Sequence, residues 1–205
     1  MEPDIKHSII SEMIEKLTRI DPRQLSKNTG VAFRATEERM GEFQLGFFDE
    51  GLTITYPDFV VRNSVKGEQV PEHIRGLFLY YFTTADGTPL EGRWVALAEL
   101  PGGGFYNQAF QGYSGNRLVK AFGNDIDAFE KSAVSFNGTP EPYGDLGLCF
   151  QALPNVPLLA VYWKGDEEFT PSAKVLFDRS ACHYLPTDLC AFLGSVLTEK
   201  LIEAR

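Results

Sequence analysis

The chain has 205 residues, of which 43% are hydrophobic and 13% aromatic, enough to bury a sizeable core and to exclude extended disorder. A formal net charge of −9 argues against a nucleic-acid partner, because a chain this acidic repels phosphate backbones. Cys149, Cys182 and Cys190 are too few and too far apart for a disulfide framework, which fits a reducing cytoplasm. The opening stretch, MEPDIKHSIISEMIEKL, is too charged for a secretory signal or an anchor. The longest apolar runs, Leu77–Phe82 and Val156–Trp163, fall short of the roughly 20 residues a membrane helix needs. The expectation is a cytoplasmic protein with no membrane partner. The length favours one domain, with residues 1–30 as an N-terminal helical extension and 31–205 as the core.

In chain order, Ile5, Ile9, Met13, Ile14 and Leu17 recur at helical spacing, which predicts a helix over 5–19 that Asp21-Pro22 ends. VAFRAT (31–36) alternates as a short strand does. EFQLGFF (42–48), LTITY (52–56) and FVVRN (59–63) are rich in β-branched and aromatic residues and are separated by short turns, so they read as an antiparallel meander. Residues 71–84 read as a helix with Pro71 in its first turn. Trp94–Leu100 reads as a strand. Phe105–Ala121 reads as helical with a break near Gly112–Gly115, and 125–134 as a further helix. Asn137–Pro140 is a loop by composition. LGLCFQAL (146–153), PLLAVYW (157–163) and AKVLFD (173–178) read as strands, the first two joined at Pro154-Asn155. From Thr187, Leu189, Phe192, Leu193, Val196, Leu197 and Leu201 form a helical stripe. Strands in hairpin-like groups predict an α+β fold with a mainly antiparallel sheet packed with N-terminal, central and C-terminal helices.

Two loops carry chemistry worth weighing. Pro101-Gly102-Gly103-Gly104 stands ahead of a helical stretch, where backbone N–H groups can cradle an anion. No Gly-Lys-Ser/Thr comes after it, and the glycines do not have dinucleotide-binding spacing. A flexible turn is the other reading. Tyr106, Asn107 and Gln108 come directly after, and rings beside amides suit a flat ligand with a polar edge, or equally the margin of a core. The second loop is Gly165-Asp166-Glu167-Glu168. With Asp145 and Asp178 it would place several carboxylates at one sheet end if the strands were suitably paired, and hard cations take such ligands. A solvated turn accounts for the same residues.

Cys182-His183 pairs two soft-metal ligands, without the C-x-x-C spacing of a zinc site. On a strand the two side chains would point to opposite faces, against joint action. Arg75, Arg93 and Arg117 can each recognise an anion or simply face solvent.

The blocks WVALAELPGGGFYNQAF (94–110) and WKGDEEFTPSAKVLFDRSACHYLPTDL (163–189) resemble the domain of unknown function 3786 family, over roughly residues 30–200. The resemblance implies a setting in anaerobic bacteria and archaea. Some members are fused to an iron–sulfur module with four closely spaced cysteines. The first 30 residues here contain no cysteine, so no cluster is carried over, and the resemblance implies no catalytic residue.

The favoured reading is an accessory protein of anaerobic metabolism that binds a small ligand or cofactor. Its site would join Gly102, Gly103, Gly104, Tyr106, Asn107 and Gln108 to Asp166, Glu167 and Glu168. The residues specify no cofactor, metal or catalytic group. One alternative is a metal-assisted enzyme using Asp145, Asp166, Glu167 and Asp178. Another is an interaction domain, docking on an enzyme partner or a second copy through the aromatic stretches 43–48 and 77–82.

Overall fold

Pro22 opens a helix rather than closing one. α1 (Pro3–Thr18) stops near the expected place, but the Asp21 carboxylate then accepts the Arg23 N–H at 2.7 Å and caps α2 (Pro22–Thr29). A proline at the first helical position loses no hydrogen bond, because that N–H has no partner in any helix. The computed structural model describes the backbone of residues 3–37 and 40–205, with side chains from residue 9 onward. Its contacts divide the chain into two compact units. The first holds the chain up to Pro89 with Leu153–Asn155 and His183–Pro186. The second holds Leu90–Ala152, Val156–Cys182 and Thr187–Arg205.

The first unit is built on the expected meander. β1 (Ala32–Glu37), β2 (Met40–Phe47), β3 (Glu50–Tyr56) and β4 (Val61–Asn63) pair in that order, each antiparallel to the next. Alternation does the sorting. Phe43, Leu45 and Phe47 on β2 and Leu52, Ile54 and Tyr56 on β3 are buried, while Gln44 and Gly46 between them are exposed. The buried face meets α3 (Glu72–Thr84). The Phe82 ring lies 4.7 Å from that of Phe43, and Phe78 lies 5.5 Å from Phe47. Both aromatic stretches, 43–48 and 77–82, are therefore mainly core, with Tyr80 as their exposed ring. Arg75 of α3 donates to the Phe59 and Asp58 carbonyls at 2.9 and 3.0 Å.

The second unit carries a five-stranded antiparallel sheet. β5 (Trp94–Val95) is shorter than the sequence predicts. After two residues paired to β9 the chain turns into a 3-10 helix, Leu97–Glu99, held by Glu99, whose carboxylate accepts the Ala96 N–H at 2.9 Å. A second short turn, Gly103–Phe105, leads into α4 (Asn107–Tyr113) and α5 (Gly115–Phe122), broken at Ser114 as the glycines predict. α6 (Ile126–Ser135) comes next. β6 (Thr139–Glu141) is a strand where a loop is expected, because the Asn137-Gly138 turn delivers Thr139 opposite Cys149. β7 (Leu146–Leu153), β8 (Val156–Trp163), β9 (Ser172–Asp178) and α7 (Thr187–Glu203) agree with the reading to within a residue or so. The sheet order is β5-β9-β8-β7-β6. Central β8 is buried almost throughout, which is why its sequence shows an apolar run rather than alternation.

Helices cover one face of this sheet. Phe110 of α4 reaches Phe177 at 5.7 Å, and Phe129 of α6 reaches Tyr162 at 4.9 Å. Gly115 of α5 lies on the Ala173 carbonyl, and Gly194 of α7 on the Phe110 and Phe177 rings. Trp163, Ser172 and Lys174 share the opposite face: Trp163 is directly across from Ser172, and Lys174 is its diagonal neighbour. Among the described residues no helix is long and apolar enough to cross a membrane.

Candidate functional site

The glycine turn is packed inward at Gly103. A Cβ on Gly103 would lie 1.7 Å from the Leu97 carbonyl oxygen, so only glycine fits there. Three of its amides are committed to the turn itself. Gly103 N–H donates to Leu100 at 2.9 Å, Phe105 N–H to Gly102 at 3.4 Å and Tyr106 N–H to Gly103 at 3.1 Å. Gly102, Gly104, Tyr106 and Gln108 are exposed. Asn107 is half-buried, and its Oδ1 is buried without a hydrogen-bond partner among the described residues. Gly103→Ala is expected to lower stability by roughly 2 kcal/mol through the backbone shift it forces. Gly104→Ala, whose Cβ meets nothing within 4 Å, should stay within about 0.5 kcal/mol of the parent. Urea denaturation of the two variants checks the contrast.

The acidic loop borders a hollow. The space is about 520 Å³, lined by Asp145, Trp163, Lys164, Asp166, Phe169, Thr170, Ser172 and Lys174. Gly144, at φ +63, lets the Tyr143–Asp145 turn approach Trp163 and Val161 more closely than a side chain would allow. Asp145 then accepts the Lys164 N–H at 2.8 Å. In the loop, Asp166 Oδ1 accepts the Glu168 and Phe169 N–H groups, both at 2.8 Å, and these two bonds hold its carboxyl below the usual carboxylate range. Asn124 clasps the base of the loop, accepting the Gly165 N–H at 2.8 Å. Of the nine residues named from the sequence, Asp166 alone lines this hollow. Glu167 and Glu168 are exposed beside it, and the glycine-turn residues are not among its lining. Sequence reasoning misses Trp163, Lys164, Phe169, Thr170, Ser172 and Lys174. The signal for Lys174 is the alternation of SAKVLFD, which puts Ser172 and Lys174 on the face away from Ala173, Val175 and Phe177.

The carboxylates do not gather. Asp178 ends β9 while Asp145 and Asp166 lie beside its start, about 20 Å away at the rise of a strand. Asp178 is buried and accepts the N–H groups of Glu91, Gly92 and Ser180 and the Ser180 hydroxyl. Among the described residues no three His, Cys, Asp or Glu side chains are placed to hold a metal ion. This overturns the carboxylate-cluster reading. Two of the arginines considered for anion recognition face carboxylates: Arg117 pairs with Glu199 at 2.9 Å, and Arg93 approaches Glu99 at 4.0 Å.

Cys182-His183 lies in a short 3-10 segment, Arg179–His183, not on a strand, so the opposite-face argument does not apply. Burial pushes the Cys190 thiol up. It also raises Cys149 to about 11, with Glu141 adding to the rise, which keeps both as thiols. In the first unit His183 Nδ1 is 2.8 Å from Asp86 Oδ2 and 3.2 Å from the Thr88 hydroxyl. Tyr184 beside it is buried, its hydroxyl donating to the Thr88 carbonyl.

These features define an α+β protein of two antiparallel sheets, with a hollow of rings and charged groups where β8 ends and β9 begins in the second. A family model described as a domain of unknown function, DUF3786, matches residues 21–200, and the chain belongs to that family. No curated protein and no solved structure matches it.

Proposed function

We propose that this chain is an accessory protein that binds a small ligand, held in the hollow beside Trp163. The observation that carries the reading is the lining itself. A volume of about 520 Å³ lies within the range of small-molecule sites, and it combines aromatic rings with a few polar groups. Phe169 supports it: a ring 69% exposed on a loop tied down by Asp166 and Asn124 offers apolar area that a ligand would cover. The carboxylates of Asp145 and Asp166 hold backbone N–H groups of the loop, which favours binding over catalysis.

The test is mass spectrometry of the protein purified from its native host. The expected result is a small molecule released on denaturation from the parent and lost from Trp163→Ala, with the circular dichroism of the two proteins alike. A parent preparation that releases nothing would overturn the reading.

A further inference from the structure

We infer that the ligand of this hollow is a flat, uncharged heteroaromatic ring carrying both hydrogen-bond donors and acceptors on its edge. The inference rests on the binding reading above and names its substrate class.

The ring surface comes first. Trp163 is half-buried at the end of β8, fixed by its strand and by the close Gly144 turn. An indole held this way presents a rigid face and loses little entropy on stacking. Phe169, on the loop, lines the same hollow. Two rings in one hollow suit a planar ligand better than a branched aliphatic one.

The charges decide the rest. Lys164 and Lys174 line the hollow with Asp145 and Asp166, so the four formal charges cancel. A bare anion would meet two ammonium groups but also two carboxylates, with Glu167 and Glu168 close by in the sequence. A cation would meet two carboxylates in the lining but also two ammonium groups, and Glu167 and Glu168 are exposed to solvent, outside the lining. Neither sign gains enough to cover the loss of its hydration. A neutral ring with mixed edge groups can use both. Among the described residues neither lysine makes an ion pair, and the Lys174 ammonium lies over the Trp163 ring, 6.0 Å from its centroid, so a ligand stacked there would displace it toward its own edge. The ammonium groups and the Ser172 and Thr170 hydroxyls would donate to ring carbonyl or aza acceptors. Each carboxylate has about four acceptor sites. The loop takes one from Asp145 and two from Asp166, leaving the others for ring N–H groups. A purely apolar ring would strand these polar groups away from water.

The test uses the full chain carrying Trp94→Phe, which leaves Trp163 as the single indole, since the parent has two tryptophans. Three planar probes of similar size are titrated while Trp163 fluorescence is monitored: 2-aminoquinazolin-4-one, which is neutral with mixed edges, 2-naphthoate and naphthalene. The quinazolinone should quench Trp163 at about tenfold lower concentration than either of the others, the gain expected of one or two additional hydrogen bonds. Lys174→Gln should weaken it about tenfold, with the melting temperature of the free protein unchanged. Tightest binding by naphthoate would overturn the class in favour of an anion, and equal binding by naphthalene in favour of an apolar ligand. Both outcomes leave the hollow a binding site. Failure of all three probes, while the native preparation still yields a Trp163-dependent molecule, sinks the class alone. Failure of the probes with no copurifying molecule sinks both readings.

Discussion

Alanine in place of Asp178 is expected to destabilise the protein by about 3 kcal/mol, through four donors left facing a vacated site. The side chain is 2% exposed, so water does not replace it. Oδ1 accepts from the Glu91 N–H at 3.1 Å, the Ser180 N–H at 2.9 Å and the Ser180 hydroxyl at 2.6 Å, and Oδ2 accepts from the Gly92 N–H at 2.8 Å. Asparagine should fall between parent and alanine, since it keeps one oxygen and turns an NH₂ toward a donor. Burial pushes the Asp178 carboxyl up, but the bonds from Ser180 and the Glu91 and Gly92 amides more than offset this and leave it below the ordinary range. A folded-state value below the unfolded one stabilises above the unfolded pKa of about 3.9, and that contribution is lost as pH falls through the folded value. The gap between parent and Asp178→Ala in urea should therefore hold steady from pH 7 to about 5 and close below about 4. Asp86, held at about 2 by the Thr88 hydroxyl, then His183 and the Thr88 amide, weakens the folded state in the same direction over the same acid range. Its exposure makes that share small. A gap below about 1 kcal/mol at pH 7 would mean that these donors find other partners, and that Asp178 does not organise the end of β9.

Periodicity is legible in the sequence, and tertiary pairing is not. Alternation along EFQLGFF and LTITY reveals the meander, because one face of that sheet is buried and the other exposed. Asp21-Pro22 misleads because the dipeptide both ends one helix and begins the next, and the deciding Asp21 to Arg23 bond is three-dimensional. WVALAEL looks like a strand, yet β9 pairs with two of its residues before Glu99 folds back on Ala96. For the site, the acidic loop is legible as a polar turn of unusual composition. Its role as the rim of a hollow is not, because that depends on which strand runs beside β8 and on the approach of the Gly144 turn. The glycines at 102–104 mislead for a related reason. Glycine marks a close approach as readily as an anion cradle, and at Gly103 the close neighbour is the Leu97 carbonyl.

Phe43→Ala should cost about 4 kcal/mol, the other large effect expected of a single substitution. Phe43 is fully buried, and four other rings surround it: Phe33 at 4.9 Å, Tyr56 at 6.2 Å, Phe59 at 6.3 Å and Phe82 at 4.7 Å. Rings at these distances cannot close over the lost side chain without leaving their own contacts, so most of the cavity persists and its cost adds to the lost burial. The expected result is a fall in melting temperature of about 10 °C. Phe169→Ala is the matched control, because Phe169 is 69% exposed and its removal opens no cavity. It should melt within about 2 °C of the parent. The pair separates two uses of phenylalanine in one chain. If residues 43–48 were a docking surface, Phe43→Ala would melt like the parent and fail only in partner capture. A large loss of stability at Phe43, with none at Phe169, assigns the first ring to the core and leaves the second free for a ligand.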